Sequence, residues 1–221
     1  MLLVSLFMLP IFTACAPKET TVNDGRVSNL KEWVAEGVIE RYEDGDIDAA
    51  DIIVDQICFG SFSQDGASEI FAICKILNTP HVGGLDQRAC ILLEADTWEI
   101  VAYKLFRADE TVIECLQTSS GQSRVLFLGI VGNHGMSSQV VELYAIQGSE
   151  WVNLPIDIMQ SVPLREKEKL EGDCFCYVAD NRVAVIYEDD LPISSGEDIY
   201  PSELIAILIW DPETEQFVPK L

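Results

Sequence analysis

The chain has 221 residues, 48% of them apolar, and sets 37 acidic against 14 basic side chains for a formal net charge of -23. A chain of this length and apolar content buries a core as one domain, so disorder is not the expectation. The charge excludes nucleic acid as a partner, since no basic patch is visible to displace counterions from phosphates, and it excludes adhesion to an anionic membrane by charge alone.

Residues 1–14 are wholly apolar or hydroxylic and end at Phe12-Thr13-Ala14-Cys15. A bilayer span needs about 20 apolar residues. This run is shorter and carries Pro10, so it reads as the apolar region of a signal peptide, with a buried N-terminal segment as the other reading. The stretch resembles a bacterial lipoprotein signal, with Cys15 in the place of the cysteine that is lipidated and becomes the mature N-terminus. That resemblance implies attachment to the cell membrane or outer membrane through lipid at Cys15, facing outside the cytoplasm. Residues 15–27, polar and containing Pro17, read as a flexible tether to a single domain over 28–221.

A helix is expected over 28–42. Ser28 or Asn29 can cap it, Asn29 and Glu32 have capping-box spacing, and Leu30, Trp33, Val34, Val38 and Tyr42 form one apolar stripe. Gly37 weakens it slightly. The acidic run Glu43 to Asp51 follows. With Asp44 and Gly45 at the fifth and sixth positions and Asp51 at the twelfth, it resembles half of an EF-hand or dockerin loop, which implies calcium held by Asp44, Asp46, Asp48 and Asp51. Tyr42 then falls at the third position, where a carboxylate belongs. The alternative is a solvated turn between helix and strand.

From residue 52 the pattern is β, and it recurs. Gly66-Ala67-Ser68-Glu69-Ile70-Phe71-Ala72-Ile73-Cys74 is echoed by Gly121-Gln122-Ser123-Arg124-Val125-Leu126-Phe127-Leu128 and by Asp180-Asn181-Arg182-Val183-Ala184-Val185-Ile186-Tyr187. Each copy is a polar turn, a charged residue and a run of β-branched and aromatic residues. Four strands are expected in each of three repeats, at about 52–106, 107–160 and 171–221. Their boundaries are 53–59, 69–77, 88–95 and 98–106; 110–117, 124–131, 139–147 and 151–158; 173–179, 182–188, 202–210 and 215–220. Short connections such as Ala95-Asp96-Thr97 and Gly148-Ser149-Glu150 require antiparallel neighbours. The fold class is therefore all-β, three four-stranded antiparallel meanders behind one N-terminal helix, propeller-like or stacked. The segment Phe62-Ser63-Gln64-Asp65-Gly66-Ala67-Ser68-Glu69-Ile70-Phe71 resembles the FG-GAP and related β-propeller repeats, in which an acidic, glycine-containing turn precedes the strand. That family's calcium-binding acids are mostly replaced here.

Cys58, Cys74, Cys90, Cys115, Cys174 and Cys176 lie in apolar runs and are expected as mostly free, buried thiols, with disulfides as the alternative. Trp98, Trp151 and Trp210 recur near the hairpins and are expected as packing residues, with a sugar platform as the other reading. The loops between second and third strands carry His81 in the first repeat, His134 in the second, and Asp189 and Asp190 in the third. Equivalent loops emerge on one rim, so these four side chains are candidate ligand contacts, with exposed turn residues as the plainer reading. The opposite edge, with its short hairpins, offers little room for a pocket. The chain carries no G-x-S-x-G, H-E-x-x-H or P-loop, and no catalytic residue is assigned. The reading is a lipid-anchored extracytoplasmic module that binds a protein, glycan or small molecule without catalysis. The alternative is an envelope-associated hydrolase using loop carboxylates.

Overall fold

A computed structural model describes residues 24–77, 85–133, 136–163, 174–179, 181–188 and 202–220. Helix α1 (Asp24–Ile39) precedes twelve strands. β1 (Ile52–Gly60), β2 (Glu69–Ile76), β3 (Asp86–Glu94) and β4 (Ile100–Ala108) form sheet 1. β5 (Glu110–Gln117), β6 (Ser123–Asn133), β7 (Met136–Gln147) and β8 (Glu150–Leu154) form sheet 2. β9 (Cys174–Ala179), β10 (Arg182–Glu188), β11 (Ser202–Asp211) and β12 (Gln216–Pro219) form sheet 3. In every sheet each strand pairs antiparallel with its sequence neighbour. The fold is the expected one: one helix and three four-stranded antiparallel meanders.

The sheets are stacked. Along β2, Ile70, Ala72, Cys74 and Ile76 point to one face and meet Leu30, Val34 and Val38 of α1. Phe71 and Ile73, on the other face, join Ile113, Val125, Phe127, Tyr144 and Ile146 of sheet 2. Sheet 2 in turn presents Leu116, Leu126, Leu128 and Leu143 to Val183, Val185, Leu208 and Phe217 of sheet 3. The order of layers is α1, sheet 1, sheet 2, sheet 3. Sandwiching on both faces is why β2 and β3 read as almost unbroken apolar runs rather than alternating ones. Gly37 has a role beyond its helix propensity, since a Cβ there would lie 2.7 Å from Ile100 Cδ1 and 2.9 Å from Ile91 Cδ1. The absent side chain lets α1 settle close on sheet 1.

The repeat is also written in the backbone. The turn between first and second strands contains a left-handed residue in all three sheets: Gly66 (φ 73°), Gly121 (φ 88°) and Asn181 (φ 59°). The hairpin between third and fourth strands does the same with Trp98 (φ 61°), Gly148 (φ 59°) and Glu215 (φ 52°). Glycine and asparagine tolerate this region, whereas tryptophan and glutamate occupy it at a cost of order 1 kcal/mol that their contacts must offset. Trp98 stacks at a tilt on Trp33, 6.4 Å between centroids, and accepts a 2.9 Å bond from Trp33 Nε1 at its carbonyl. Glu215 holds Arg124 through both carboxylate oxygens, at 2.9 and 3.1 Å.

Some boundaries differ from the sequence expectation. α1 starts at Asp24, inside the stretch read as tether, and ends at Ile39 rather than Tyr42. Ser28 and Asn29 are therefore within the helix, not its caps. Gly25 is the one poor helix former in the added turn, and it lies where helical N–H groups lack intrahelical partners in any case. β8 stops at Leu154, because Pro155 has no N–H for a ladder.

Candidate functional site

Of the four rim residues expected from sequence, His81, His134, Asp189 and Asp190 all lie outside the described residues, as does Cys15. The four acidic residues after α1 are described. Asp48 and Asp51 close a capping box on the single 3-10 turn Ala49–Asp51: Ala50 N donates to Asp48 Oδ1 at 2.7 Å and Asp48 N to Asp51 Oδ2 at 3.1 Å. Asp44 pairs with Arg107 of β4, and Asp46 is exposed. Among the described residues no three His, Cys, Asp or Glu side chains converge to hold a metal ion. This segment links helix to sheet, with Asp48 and Asp51 turned to donors of their own turn and Asp44 reaching across to β4.

The edge carrying the short turns is tied together more closely than its sequence suggests. The turn after β1 meets the turn after β5, where Gln122 Nε2 donates to Phe62 O at 2.9 Å and Ser123 N to Ser61 O at 2.6 Å. The turn after β5 meets the β11–β12 hairpin: Ser119 N donates to Pro212 O at 2.7 Å, and Trp210 Nε1 to Gln117 O at 2.6 Å. Glu69 anchors the first turn. Its side chain is buried, and its Oε2 accepts from Phe62 N at 2.6 Å and Ser63 N at 2.9 Å while Ser63 Oγ donates to Oε1. The charged residue heading the repeat motif is thus an inward-facing acceptor for turn amides.

Beside this anchored turn opens a cleft of about 430 Å³, lined by Ser63, Gln64, Ser68, Glu94 and Glu99 with Ile100 and Val101 behind them. The expectation that this edge has no room for a pocket is overturned. The turn between β1 and β2 is eight residues long, 61–68, and folds back on Glu69 instead of covering the β3–β4 hairpin. Glu94 and Glu99 are exposed, with Glu94 Oε2 accepting from Thr97 Oγ1 at 2.6 Å. The cleft therefore offers hydroxyl, amide and carboxylate groups on a rigid sheet end.

A second cleft of about 430 Å³ lies between the end of α1 and β4, lined by Arg41, Lys104 and Arg107 together with Glu40 and Glu43, and Arg41 pairs with Glu40 at 3.3 Å. Tyr103 is in its wall. Burial, with Tyr42 and then two thiols adding to it, pushes the Tyr103 hydroxyl up to about 12. Lys104 lies 4.5 Å from the Tyr144 ring centroid and 5.3 Å from that of Phe106, and such a cation over aromatic faces is held by the ring quadrupoles. The tryptophans are packing residues, as expected: Trp151 sits among Phe71, Phe106 and Tyr144, and Trp210 is edge-on to Phe217 at 5.4 Å.

No family, no curated relative and no solved structure matches this chain. Among the described residues no helix is long and apolar enough to cross a membrane.

Proposed function

We propose that the protein is a lipid-anchored extracytoplasmic binding module whose ligand, a glycan, peptide or small polar molecule, sits in the cleft at the turn edge. The observation that carries this reading is the cleft itself, where Ser63, Gln64, Glu94 and Glu99 stand on strand ends and a turn fixed by Glu69. Directional polar groups on a rigid scaffold suit recognition of hydroxyl and amine donors. Anchoring follows from the lipoprotein-like residues ending at Cys15, with lipid chains supplying the membrane affinity that a charge of -23 cannot.

The rival reading is a hydrolase acting on envelope or imported polymers, with Glu94 and Glu99 as the carboxylates. Glu69 fits that role poorly, since both its oxygens are committed to the turn. One screen separates the two. The chain from residue 16 onward is tested against glycan and peptide libraries for binding and for turnover. Binding that falls at least tenfold in Glu94→Gln or Glu99→Gln without product supports the module. Turnover abolished by either substitution rejects it. Binding that falls only in a His81→Ala, His134→Ala double variant moves the site to the other rim. Detergent partitioning of the full chain tests the anchor, which is sunk if Cys15→Ser partitions like the wild type.

A further inference from the structure

Cys58 on β1 and Cys115 on β5 belong to neighbouring sheets and pack against the same core between sheets 1 and 2. Both are half-buried, in contrast to Cys74, Cys90 and Cys176, which are buried. The two thiols are close enough for each to be the first influence on the other's ionisation. Gln56 Nε2 supplies Cys58 Sγ with a second donor at 3.3 Å. The strand ends beside them are fixed by Ser123 N to Ser61 O at 2.6 Å, so their approach is built into the junction of the sheets. We propose that Cys58 and Cys115 are a reversible dithiol–disulfide pair that locks sheet 1 to sheet 2.

The surroundings assign each thiol a role. The neighbouring Cys115 thiol is the largest influence on Cys58 and, helped by Gln56, holds it below the ordinary thiol range although burial and Glu114 push the other way. The same contact with Cys58, then burial and the nearby Cys90 and Glu114, raises Cys115 well above that range. Burial likewise raises Cys74 and Cys90. The thiolate is the nucleophile in disulfide exchange, so Cys58 attacks first. With a disulfide such as oxidised glutathione as oxidant, Cys58 sulfur bonds to one glutathione sulfur and expels the other as thiolate, which takes up the Cys58 proton. Cys115 then gives its proton to solvent base and attacks Cys58 Sγ, expelling the second glutathione. Two protein thiols are oxidised and one external disulfide is reduced to two thiols.

The test treats the folded full chain with oxidised glutathione near pH 8, blocks remaining thiols by alkylation and maps the peptides by mass spectrometry. The expected product is a single cross-link joining the Cys58 and Cys115 peptides, lighter by two hydrogens and reversed by dithiothreitol. Cys115→Ser should accumulate a glutathione adduct on Cys58, and Cys58→Ser should give neither adduct nor cross-link. In the untreated wild type, iodoacetamide should label Cys58 before Cys74, Cys90, Cys115 and Cys176, a readout that needs no variant to fold. Closing so long a loop should raise the thermal midpoint by about 5 °C or more. The proposal is overturned if the folded chain forms no such cross-link, if another pair forms instead, if Cys115 or Cys90 is labelled first, or if the midpoint does not rise.

Discussion

The two interfaces between sheets are built from different chemistry. Between sheets 1 and 2 the core is aromatic and directional: Phe62 stacks on Phe71 at 4.9 Å, Phe106 on Phe127 at 4.5 Å, and Trp151 stands edge-on to Phe106 and Tyr144 at 5.8 Å from each. Its margin is ionic, with Arg88 bridging Asp86 at 3.1 Å and Asp55 while Thr111 of sheet 2 donates to Asp86 at 2.5 Å. Between sheets 2 and 3 the core is mainly aliphatic, leucine and valine against leucine and valine, with the single aromatic pair Trp210 and Phe217 among the described residues. Aromatic pairs add about 0.5–1.5 kcal/mol each beyond area burial and hold particular angles, whereas aliphatic surfaces accept exchange of one branched side chain for another. The first interface should therefore resist rearrangement and the second should tolerate it. Position adds to the contrast: the cores on either side of sheet 1 meet α1 and sheet 2, and those of sheet 2 meet sheets 1 and 3, while sheet 3 closes the stack.

The largest effect should come from Phe71→Ala, which empties a fully buried site between Phe62 and Trp151 and should cost about 3–5 kcal/mol in urea unfolding. Leu208→Ala, equally buried between sheets 2 and 3, should cost about 2–4 kcal/mol. Paired milder changes sharpen the contrast: Leu208→Ile should cost less than about 1.5 kcal/mol, while Phe71→Leu should cost more because it forfeits two ring contacts. Equal costs for these two would remove the distinction between the interfaces. Gly129→Ala comes next. Its Cβ would lie 2.6 Å from Phe127 Cζ and 3.1 Å from Ala108 Cβ, so crowding the aromatic interface should cost about 1–3 kcal/mol by thermal denaturation.

Acid should act on the first interface selectively. Burial pushes the Asp86 carboxyl up, but the Thr111 hydrogen bond, then Arg88 and Lys75, together outweigh it and leave the group below its ordinary value. A depressed carboxyl contributes stability above its unfolded value, and that contribution is lost as pH falls through the folded one. Below about pH 4, the wild-type midpoint should therefore fall more steeply than that of Asp86→Asn. Parallel curves would remove Asp86 from the account. The smallest effect is expected at Gly121→Ala. No atom lies within 4 Å of the added Cβ, so only the φ of 88° resists it, at about 1 kcal/mol.

Much of this architecture is legible in the sequence because it rests on local rules. The run from Glu69 to Ile76 announces a strand by composition, and the left-handed turn positions announce themselves as Gly66, Gly121 and Asn181. Trp98 and Glu215 do not, since their conformation is set by partners far along the chain, Trp33 and Arg124. Which sheet meets which, and that Cys58 meets Cys115, depends on the stacking of repeats, which no local pattern encodes. Glu69 was visible as the charged residue heading the motif, but its burial follows from a turn folding back to offer two amides. The cleft beside it is not legible for the same reason, because loop length signals a turn and says nothing of where the turn leans. The candidate rim residues His81, His134, Asp189 and Asp190 lie outside the described segments, so functional screening of their variants is the route to them.

Native-state hydrogen exchange, resolved strand by strand, tests the layered account most directly. Protection follows coverage and contact density. The account predicts the slowest exchange in the central strands β2, β3, β6 and β7, opening with a common free energy, and a distinctly lower opening energy for β10 and β11 of sheet 3, at the end of the stack. Protection of β10 and β11 equal to or above that of β2 and β3 would contradict it.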